Sequence, residues 1–274
     1  MPRLAHLTAA ALCLVSPALA ACDYGTHLNP RRSAGAAVPI STFGYTALDG
    51  PLNWHGLNAT ANALCATGKH QSPINIDSSI KKIAGGSVEF VVDAYPFGAE
   101  FENLGTTVEV PVNGTLWADK KMYSLAQFHF HSSSEHRLEQ EYFPMETHFV
   151  FSAPDKSTAV VSFLIELGLP DPLLTAVFAS VGMIATPGSA TTTGPLVFAP
   201  LEAHLKANPI FTYSGSLTTP PCTEGVTWYI SSKPLQIDQA TYERVKDVIK
   251  FNSRYTQNTL GETNLLEHAA SLFK

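Results

Sequence analysis

The stretch Gln127-Phe128-His129-Phe130-His131 decides how this chain folds. Aromatic and polar residues alternate in it, and successive side chains of a β-strand point to opposite faces. The alternation predicts a strand whose two phenylalanines pack into a core. Its other face then presents Gln127, His129 and His131. Two imidazoles at positions i and i+2 can reach one metal ion, although this pattern alone also fits a strand with two exposed histidines.

A second stretch, Glu146-Thr147-His148, favours the metal-site interpretation. On a strand, Glu146 and His148 share one face. Three neutral imidazoles form the open tetrahedral site typical of catalytic zinc, in which water takes the fourth position. Ligating histidines usually donate their other N–H to a carboxylate, an amide or a backbone carbonyl. Gln127 and Glu146 are placed to accept such hydrogen bonds, and the alternative for Glu146 is a solvated strand carboxylate.

Strand signals dominate the rest of the chain. β-Branched and aromatic residues are concentrated in residues 88–92, 108–112, 127–131, 147–151, 158–167 and 226–231. Helical patterning is sparse. We expect helices over residues 171–184, where Pro172 suits the first turn, and over residues 239–251, with a loop over residues 186–200. The sequence predicts a mainly β (α+β) fold of one domain, with a large, mostly antiparallel central sheet and short peripheral helices.

The composition fits one large domain. The chain has 274 residues, of which 45% are hydrophobic and 15% are charged. This supports a substantial core and argues against wholesale disorder. The net charge is −6 and no basic block occurs, which argues against nucleic acid and anionic membranes as partners.

The first twenty residues are typical of a secretory signal peptide. Arg3 is followed by an apolar run from Leu7 to Val15, which is too short to span a bilayer. The sequence Ala18-Leu19-Ala20 is an A-x-A cleavage pattern. The alternative is a buried N-terminal helix, which Pro17 would interrupt.

Cleavage after residue 20 divides the chain into a signal peptide over residues 1–20, a flexible arm over residues 21–40 and a folded domain over residues 41–274. We therefore expect a secreted, extracellular protein. The alternative is a periplasmic one. Two N-glycosylation sequons, at Asn58 and Asn113, favour a eukaryotic secretory route, although a three-residue pattern also arises by chance.

The cysteines leave their pairing open. Removal of the signal peptide leaves Cys22, Cys65 and Cys222, an odd number in an oxidising compartment. A bridge between Cys65 and Cys222 would close a long loop and stabilise the fold by roughly 2–4 kcal/mol. Cys22 could then join two chains in a dimer or stay free. Because Leu19 to Cys22 resembles a bacterial lipidation box, it could also anchor the chain to a membrane.

Taken together, these motifs resemble those of the α-class carbonic anhydrases, in particular the secreted members. They occur in the family's order from about Tyr45 to the C-terminus, and comprise Gln71 to Ile76, Gln127 to His131, Ser134 to His136, Glu146 to His148, Ser216 to Pro221, and Val226 to Trp228. The resemblance implies a twisted sheet with Zn²⁺ at the base of a conical cavity. It also implies reversible hydration of carbon dioxide to bicarbonate and a proton, by attack of a zinc-bound hydroxide.

The resemblance assigns His129, His131 and His148 as the zinc ligands. It places Asn252 at a position whose backbone carbonyl accepts the N–H of His131. Cys65 and Cys222 match a disulfide of secreted members, which would brace the loop that bears Thr218.

Further roles follow from the resemblance. Thr218 accepts the hydrogen of the hydroxide and donates its own to Glu135, which fixes the orientation of the attacking oxygen. Thr219 helps to position bicarbonate, and Tyr45 joins the water network. The apolar wall that receives carbon dioxide consists of Val150, Val160, Leu217 and Trp228. From their spacing, the other histidines, including His136, lack a metal-site pattern or partners, and we expect no metal-binding role for them.

The chain departs from the family pattern at Thr106, which occupies the position of the usual proton-shuttle histidine. Threonine does not titrate near neutral pH. We therefore expect proton release to depend on buffer. Two other functions remain possible from the sequence: a zinc-free binding module of the same fold, and a zinc esterase in which the same hydroxide attacks an ester.

Overall fold

The structure is a computed structural model that describes residues 37–273. The predicted signal peptide, most of the predicted arm and Cys22 lie outside the described residues. Within residues 37–273, no helix combines the length and the apolar character needed to cross a membrane.

Strands make up most of the regular structure. In chain order they are β1 (Asn75–Ile76), β2 (Lys82–Ile83), β3 (Glu89–Val92), β4 (Glu100–Asn103), β5 (Val108–Pro111), β6 (Gly114–Ala118), β7 (Lys121–His131), β8 (Arg137–Leu138), β9 (Met145–Ser152), β10 (Thr158–Leu167), β11 (Ala190–Thr192), β12 (Ile210–Ser216), β13 (Glu224–Ser231) and β14 (Leu235–Ile237). The α-helices are α1 (Trp54–Leu57), α2 (Ala63–Thr67), α3 (Pro172–Phe178), α4 (Ala199–Ala207), α5 (Gln239–Ile249) and α6 (Leu265–Ser271). Short 3₁₀ helices cover Ala47–Asp49, Gly85–Ser87 and Val181–Ile184.

The strands form one large sheet in the order β11-β4-β5-β7-β9-β10-β13-β12-β2. Strand β6 also pairs with β7, and β3 pairs with β6, while β14 pairs with β10. Strand β10 runs parallel to β13 and β14, and the other pairings of this sheet are antiparallel. Strands β1 and β8 form a separate parallel pair. The predicted mainly β fold with a large, mostly antiparallel sheet and short peripheral helices is confirmed.

A β-bulge in β7 determines which face the histidines occupy. The register between β7 and β9 shifts between Leu125 and Gln127. Before the bulge Tyr123 and Leu125 pack into the larger core, and after it Phe128 and Phe130 do so. One inserted residue changes the face on which the odd-numbered side chains lie. The histidines of β7 therefore point away from the larger core.

The sheet has a hydrophobic cluster on each face. The larger core takes Phe149 and Phe151 of β9 and Phe163 of β10. The smaller cluster takes Val150 of β9 and Val160 of β10, which lie opposite each other in the ladder. Because alternate residues of one strand enter different clusters, these central strands read as nearly continuous apolar runs.

Two predicted segments differ in the structure. The helix expected over residues 171–184 ends at Phe178, and a 3₁₀ turn follows over Val181–Ile184. Gly182 lies in this second segment, and glycine is unfavourable in a helix interior. The loop expected over residues 186–200 contains β11 and the start of α4, where Pro200 occupies the first turn of the helix. Proline suits that position, so it begins a helix here instead of marking a loop.

Candidate metal centre

Three imidazoles converge on the face of the sheet opposite the larger core. His129 of β7 lies directly across from His148 of β9, and His131 lies two residues further along β7. One ring nitrogen of each histidine lies within 4.8 Å of the others. All three residues are buried. The structure therefore brings together the three ligands that the sequence predicts.

A hydrogen bond orients each ring. His131 Nδ1 donates to the backbone carbonyl of Asn252 at 2.8 Å, and His148 Nε2 donates to Glu146 Oε1 at 2.9 Å. His129 Nδ1 donates to Gln127 Oε1 at 2.9 Å. These donors leave Nε2 of His129, Nε2 of His131 and Nδ1 of His148 as lone-pair nitrogens. His131 Nε2 is buried and has no hydrogen-bond partner among the described residues.

Burial keeps the three rings neutral. It lowers the pKa of His131 to about 4, although the hydrogen bond to Asn252 works in the other direction. Burial also lowers the pKa of His148, and it lowers that of His129 well below its usual value with help from the two neighbouring imidazoles. Metal-ligating histidines must be neutral. Three neutral rings with converging lone pairs, one of them unpartnered, fit a Zn²⁺ ion.

The carboxylate of Glu146 is fully buried and accepts five hydrogen bonds. Its Oε1 accepts from His148, from His136 Nδ1 at 2.7 Å and from Ser162 Oγ at 2.6 Å. Its Oε2 accepts from the backbone N–H groups of Glu135 and His136, each at 2.8 Å. Burial would raise the pKa of Glu146, but the two histidines and their hydrogen bonds lower it well below its usual range. Glu146 is therefore an ionised support for His148 and not a solvated carboxylate.

His136 is a residue whose importance the sequence analysis missed. It is fully buried, its Nδ1 donates to Glu146, and its Nε2 accepts from the Tyr213 hydroxyl at 2.6 Å. The expectation that His136 lacks partners is wrong. His136 lies in the irregular segment between β7 and β8, so strand periodicity does not report the direction of its side chain. Its place in the Ser134-Glu135-His136 motif was the signal available.

Glu135 lies beside the histidines and is also fully buried. Its Oε1 accepts from the backbone N–H of Arg254 at 2.8 Å, and its Oε2 lies 3.6 Å from His131 Nε2. Burial raises the pKa of Glu135 to about 7, while His148, the Arg254 N–H and a hydrogen bond from the Thr218 hydroxyl act to lower it. A divalent cation nearby would favour the carboxylate form further.

The predicted apolar wall is assembled beside the histidines. Val150, Val160, Leu217 and Trp228 are buried in the smaller cluster. The Trp228 ring lies 4.9 Å from that of His148, and its Nε1 donates to the Ser216 carbonyl. Thr219 is buried next to Thr218. The arrangement is an apolar surface beside the polar histidine group.

Tyr45 and Thr106 lie near this centre with defined contacts. The Tyr45 ring packs edge-on against Trp54 at 5.6 Å. Burial raises the pKa of Tyr45 well above its usual value, the Glu135 charge raises it further, and Arg254 lowers it. Thr106 is buried, and its hydroxyl shares a hydrogen bond of 2.6 Å with the Ser41 hydroxyl. The Thr106 hydroxyl is therefore already hydrogen-bonded to Ser41, at the start of the predicted folded domain.

Cys65 and Cys222 form a disulfide, as the resemblance implied. Both sulfurs are buried, and the backbone carbonyl of Cys222 accepts from Gln71 Nε2 at 3.0 Å. The bridge lies within one chain. The two sequon asparagines, Asn58 and Asn113, are exposed.

Comparisons with known proteins agree with this geometry. A family model described as eukaryotic-type carbonic anhydrase matches residues 49–265. A carbonic anhydrase of Neisseria gonorrhoeae is 34% identical over 247 residues, which is 89% of either chain. The structure of a fungal alpha carbonic anhydrase from Aspergillus oryzae matches with a TM-score of 0.81 at 50% identity, over 83% of this chain and 98% of that one. Dioscorin, solved as a complex with ascorbate, matches with a TM-score of 0.71 at 27% identity, over 82% of this chain and 97% of that one.

Proposed function

Because this chain belongs to the eukaryotic-type carbonic anhydrase family of enzymes, we propose that it catalyses the reversible hydration of carbon dioxide to bicarbonate and a proton, with Zn²⁺ as its cofactor. The observation that carries the proposal is the convergence of three buried, neutral imidazoles beside the Thr218–Glu135 pair.

His129 Nε2, His131 Nε2 and His148 Nδ1 are the atoms that would hold the metal. Bound Zn²⁺ supplies the Lewis acidity that makes hydroxide available near neutral pH. The protein contributes three neutral donors, so the dication keeps its full charge. Gln127, Asn252 and Glu146 hold the rings in the required tautomers.

The Thr218 hydroxyl directs the attacking oxygen. We assign its single hydrogen to Glu135, beside which it lies, so that its own oxygen acts only as an acceptor toward the reactants. An attacking O–H group must then point its hydrogen at Thr218 and its lone pair toward the substrate. Glu135 is held in place for this task by the Arg254 N–H. Preorganisation of this kind accelerates the chemical step because no reorientation is needed during the reaction.

The apolar wall selects an uncharged substrate. Val150, Val160, Leu217 and Trp228 offer little polar surface apart from an indole N–H that already donates to Ser216. Carbon dioxide loses little hydration on entering such a surface, whereas a charged molecule would lose much of its own. Thr219 can donate its hydroxyl hydrogen to the bicarbonate product, and we assign it that role.

The proton leaves by a route that lacks a titrating group at Thr106. A threonine hydroxyl does not ionise near neutral pH, and this one is bonded to Ser41. We propose that buffer molecules carry the proton away and that Tyr45 orders water on the path. This route is consistent with an enzyme whose turnover depends on the buffer.

Zinc content and carbon dioxide hydration test the proposal together. The purified protein should contain one zinc ion per chain and hydrate carbon dioxide in a stopped-flow assay. His148→Ala should lose both properties, whereas His268→Ala, at an exposed histidine, should keep both. A zinc-loaded protein that shows no hydration would overturn the proposal. A protein that binds no zinc would instead support the binding-module alternative, and ester cleavage without hydration would support the esterase.

We also propose that the protein is secreted, with the signal peptide cleaved after Ala20 and with glycans on Asn58 and Asn113. The disulfide between Cys65 and Cys222 supports an oxidising compartment, and both sequon asparagines are accessible. The intact mass of the secreted protein, before and after reduction and deglycosylation, reports cleavage, glycan number and the state of Cys22.

A further inference from the structure

The buried amide of Asn252 hydrogen-bonds to the backbone on both sides of the predicted ligand His131, at the end of β7. Its Oδ1 accepts from the backbone N–H of Ser132 at 2.7 Å, and its Nδ2 donates to the Phe130 carbonyl at 2.8 Å. Phe130 and Ser132 flank His131. The backbone carbonyl of Asn252 meanwhile accepts from the His131 ring at 2.8 Å. One residue therefore holds the ring of this ligand and the backbone on either side of it.

The second hydrogen of the same amide reaches another part of the chain. Asn252 Nδ2 also donates to the backbone carbonyl of Thr106 at 2.9 Å. Both donors of the amide are used, and Asn252 is only 1% exposed. The side chain thus ties the His131 backbone to the turn that carries the shuttle position, although Thr106 itself has no contact with the histidines among the hydrogen bonds of the described residues.

The residues that follow Asn252 extend this contact. Ser253 Oγ donates to the Ser133 carbonyl, and the Arg254 N–H donates to Glu135. Segment 252–254 therefore runs along segment 132–135. At one end Asn252 contacts the predicted ligand His131, and at the other end Arg254 contacts Glu135. Displacement of Asn252 would shift both functional groups together.

We propose that the Asn252 side chain is a positioning group for the metal centre, which fixes His131 and couples it to the Thr106 turn. A carbonyl can orient an imidazole only if the carbonyl is itself held in place. The amide holds it in place with one acceptor, which pairs with the Ser132 N–H, and two donors, which pair with the carbonyls of Phe130 and Thr106. This inference rests on the proposed function, because it assumes that His131 is a zinc ligand.

Asparagine supplies the one acceptor and the two donors that these contacts need. Aspartate has nearly the same shape but, when ionised, can only accept hydrogen bonds. In Asn252→Asp, a carboxylate oxygen would face the carbonyls of Phe130 and Thr106, and both donated hydrogen bonds would be lost. The backbone carbonyl that meets His131 remains in the variant. Any loss of zinc affinity would then report the positioning role of the side chain and not the removal of a ligand contact.

A matched control is available at Asn264. This asparagine is also buried, and its amide donates to the Gly68 carbonyl at 3.0 Å and accepts from the Leu266 N–H at 2.9 Å. Asn264→Asp removes a buried donor in the same way but lies outside the segment behind His131. Its effect measures the cost of a buried carboxylate that does not touch the metal centre.

The test measures zinc affinity by competition with a chelator, together with the urea midpoint of the metal-free protein. We expect Asn252→Asp to weaken zinc binding at least tenfold, the effect typical of partners that orient metal ligands. Asn264→Asp should change the zinc affinity less than twofold, although it should lower the urea midpoint by a comparable amount. Equal losses in both variants, or an unchanged affinity in Asn252→Asp, would overturn the inference.

Hydrogen exchange of the unaltered protein gives a second test that needs no variant. Zinc binding should slow amide exchange in peptides covering residues 104–107, which contain no ligand, as well as residues 130–132. The surface turn at residues 155–157 should exchange at the same rate with and without zinc. Absence of protection at 104–107 would overturn the coupling. Failure of the unaltered protein to bind zinc would instead refute the proposed function.

Discussion

Removal of the disulfide between Cys65 and Cys222 should destabilise the protein strongly. The two cysteines are separated by 157 positions, so the bridge restricts most of the unfolded chain. The chain-entropy relation gives about 5 kcal/mol at 25 °C for a loop of this length. Domains are stable by only about 5–15 kcal/mol in total. We therefore expect the Cys65→Ser/Cys222→Ser variant to lose between about 2 and 5 kcal/mol.

Urea unfolding of the metal-free protein is the appropriate assay, because bound zinc would add its own stabilisation. The comparison should be made in a Cys22→Ser background, which removes a thiol that could exchange with the bridge. Both forms should be followed by two spectroscopic probes, and coincident transitions would justify two-state free energies. The variant should show a lower midpoint and a somewhat larger m-value, since its unfolded chain is free to expand.

The outcome also tests the position of the bridge relative to the site. The Cys65 carbonyl lies within 3.4 Å of the Arg254 guanidinium, and Cys222 lies four residues after Thr218. The variant should therefore lose hydration activity at temperatures where it is still folded. A free-energy loss below about 1 kcal/mol would refute the loop-length argument. Full activity at a large stability loss would show that the bridge does not brace the Thr218 loop.

Four other predictions follow from the site. Thr218→Val should lower the hydration rate by about 10²–10³-fold with zinc retained, because valine can neither accept from the attacking group nor donate to Glu135. Glu146→Gln should weaken zinc binding about 10–100-fold in chelator competition. Hydration should rise steeply with imidazole concentration, and Thr106→His, which also removes the hydroxyl bonded to Ser41, should raise turnover at low buffer. The metal-free protein should lose stability as the pH falls from about 6.5 to 4 in urea titrations, because buried histidines with lowered pKa values bind protons only on unfolding.

Each of these predictions has a control or a contradicting result. Thr212→Val, at a half-buried threonine of β12, should leave the hydration rate unchanged. Zinc affinity equal to that of the unaltered chain in Glu146→Gln would contradict the support assigned to that carboxylate. Turnover that changes neither with imidazole concentration nor in Thr106→His would mean that another group carries the proton. Metal-free stability that stays constant or rises toward pH 4 would mean that the rings are not held neutral.

Local periodicity predicted which side chains share a face, and the family resemblance assigned the ligand set. The faces of His129, His131 and His148 follow from the two-residue repeat of a strand, which depends only on neighbouring residues. The same rule placed Gln127 and Glu146 beside their histidines, where the structure has them. The fold class followed from strands that are long, apolar and easily distinguished from the few helices.

Features that depend on distant or irregular segments were not predictable in this way. The bulge between Leu125 and Gln127 changes the face of β7 without any glycine or proline to mark it. His136 projects from an irregular segment, and the Ser41–Thr106 contact joins residues 65 positions apart. Such contacts depend on the path of the intervening chain, about which periodicity carries no information.

The ambiguity of the His129-Phe130-His131 pattern has the same physical origin. On an uncovered strand these imidazoles would be solvated and would protonate near their ordinary pKa. Here they stay neutral because other segments bury them, and the contacts that do so come from far along the chain. Asn252 is 121 positions from His131, and Arg254 is 119 positions from Glu135. The strands therefore set the spacing of the ligands, while the covering segments make those ligands competent to bind a metal. A change in segment 252–254 should consequently impair the centre without altering any ligand.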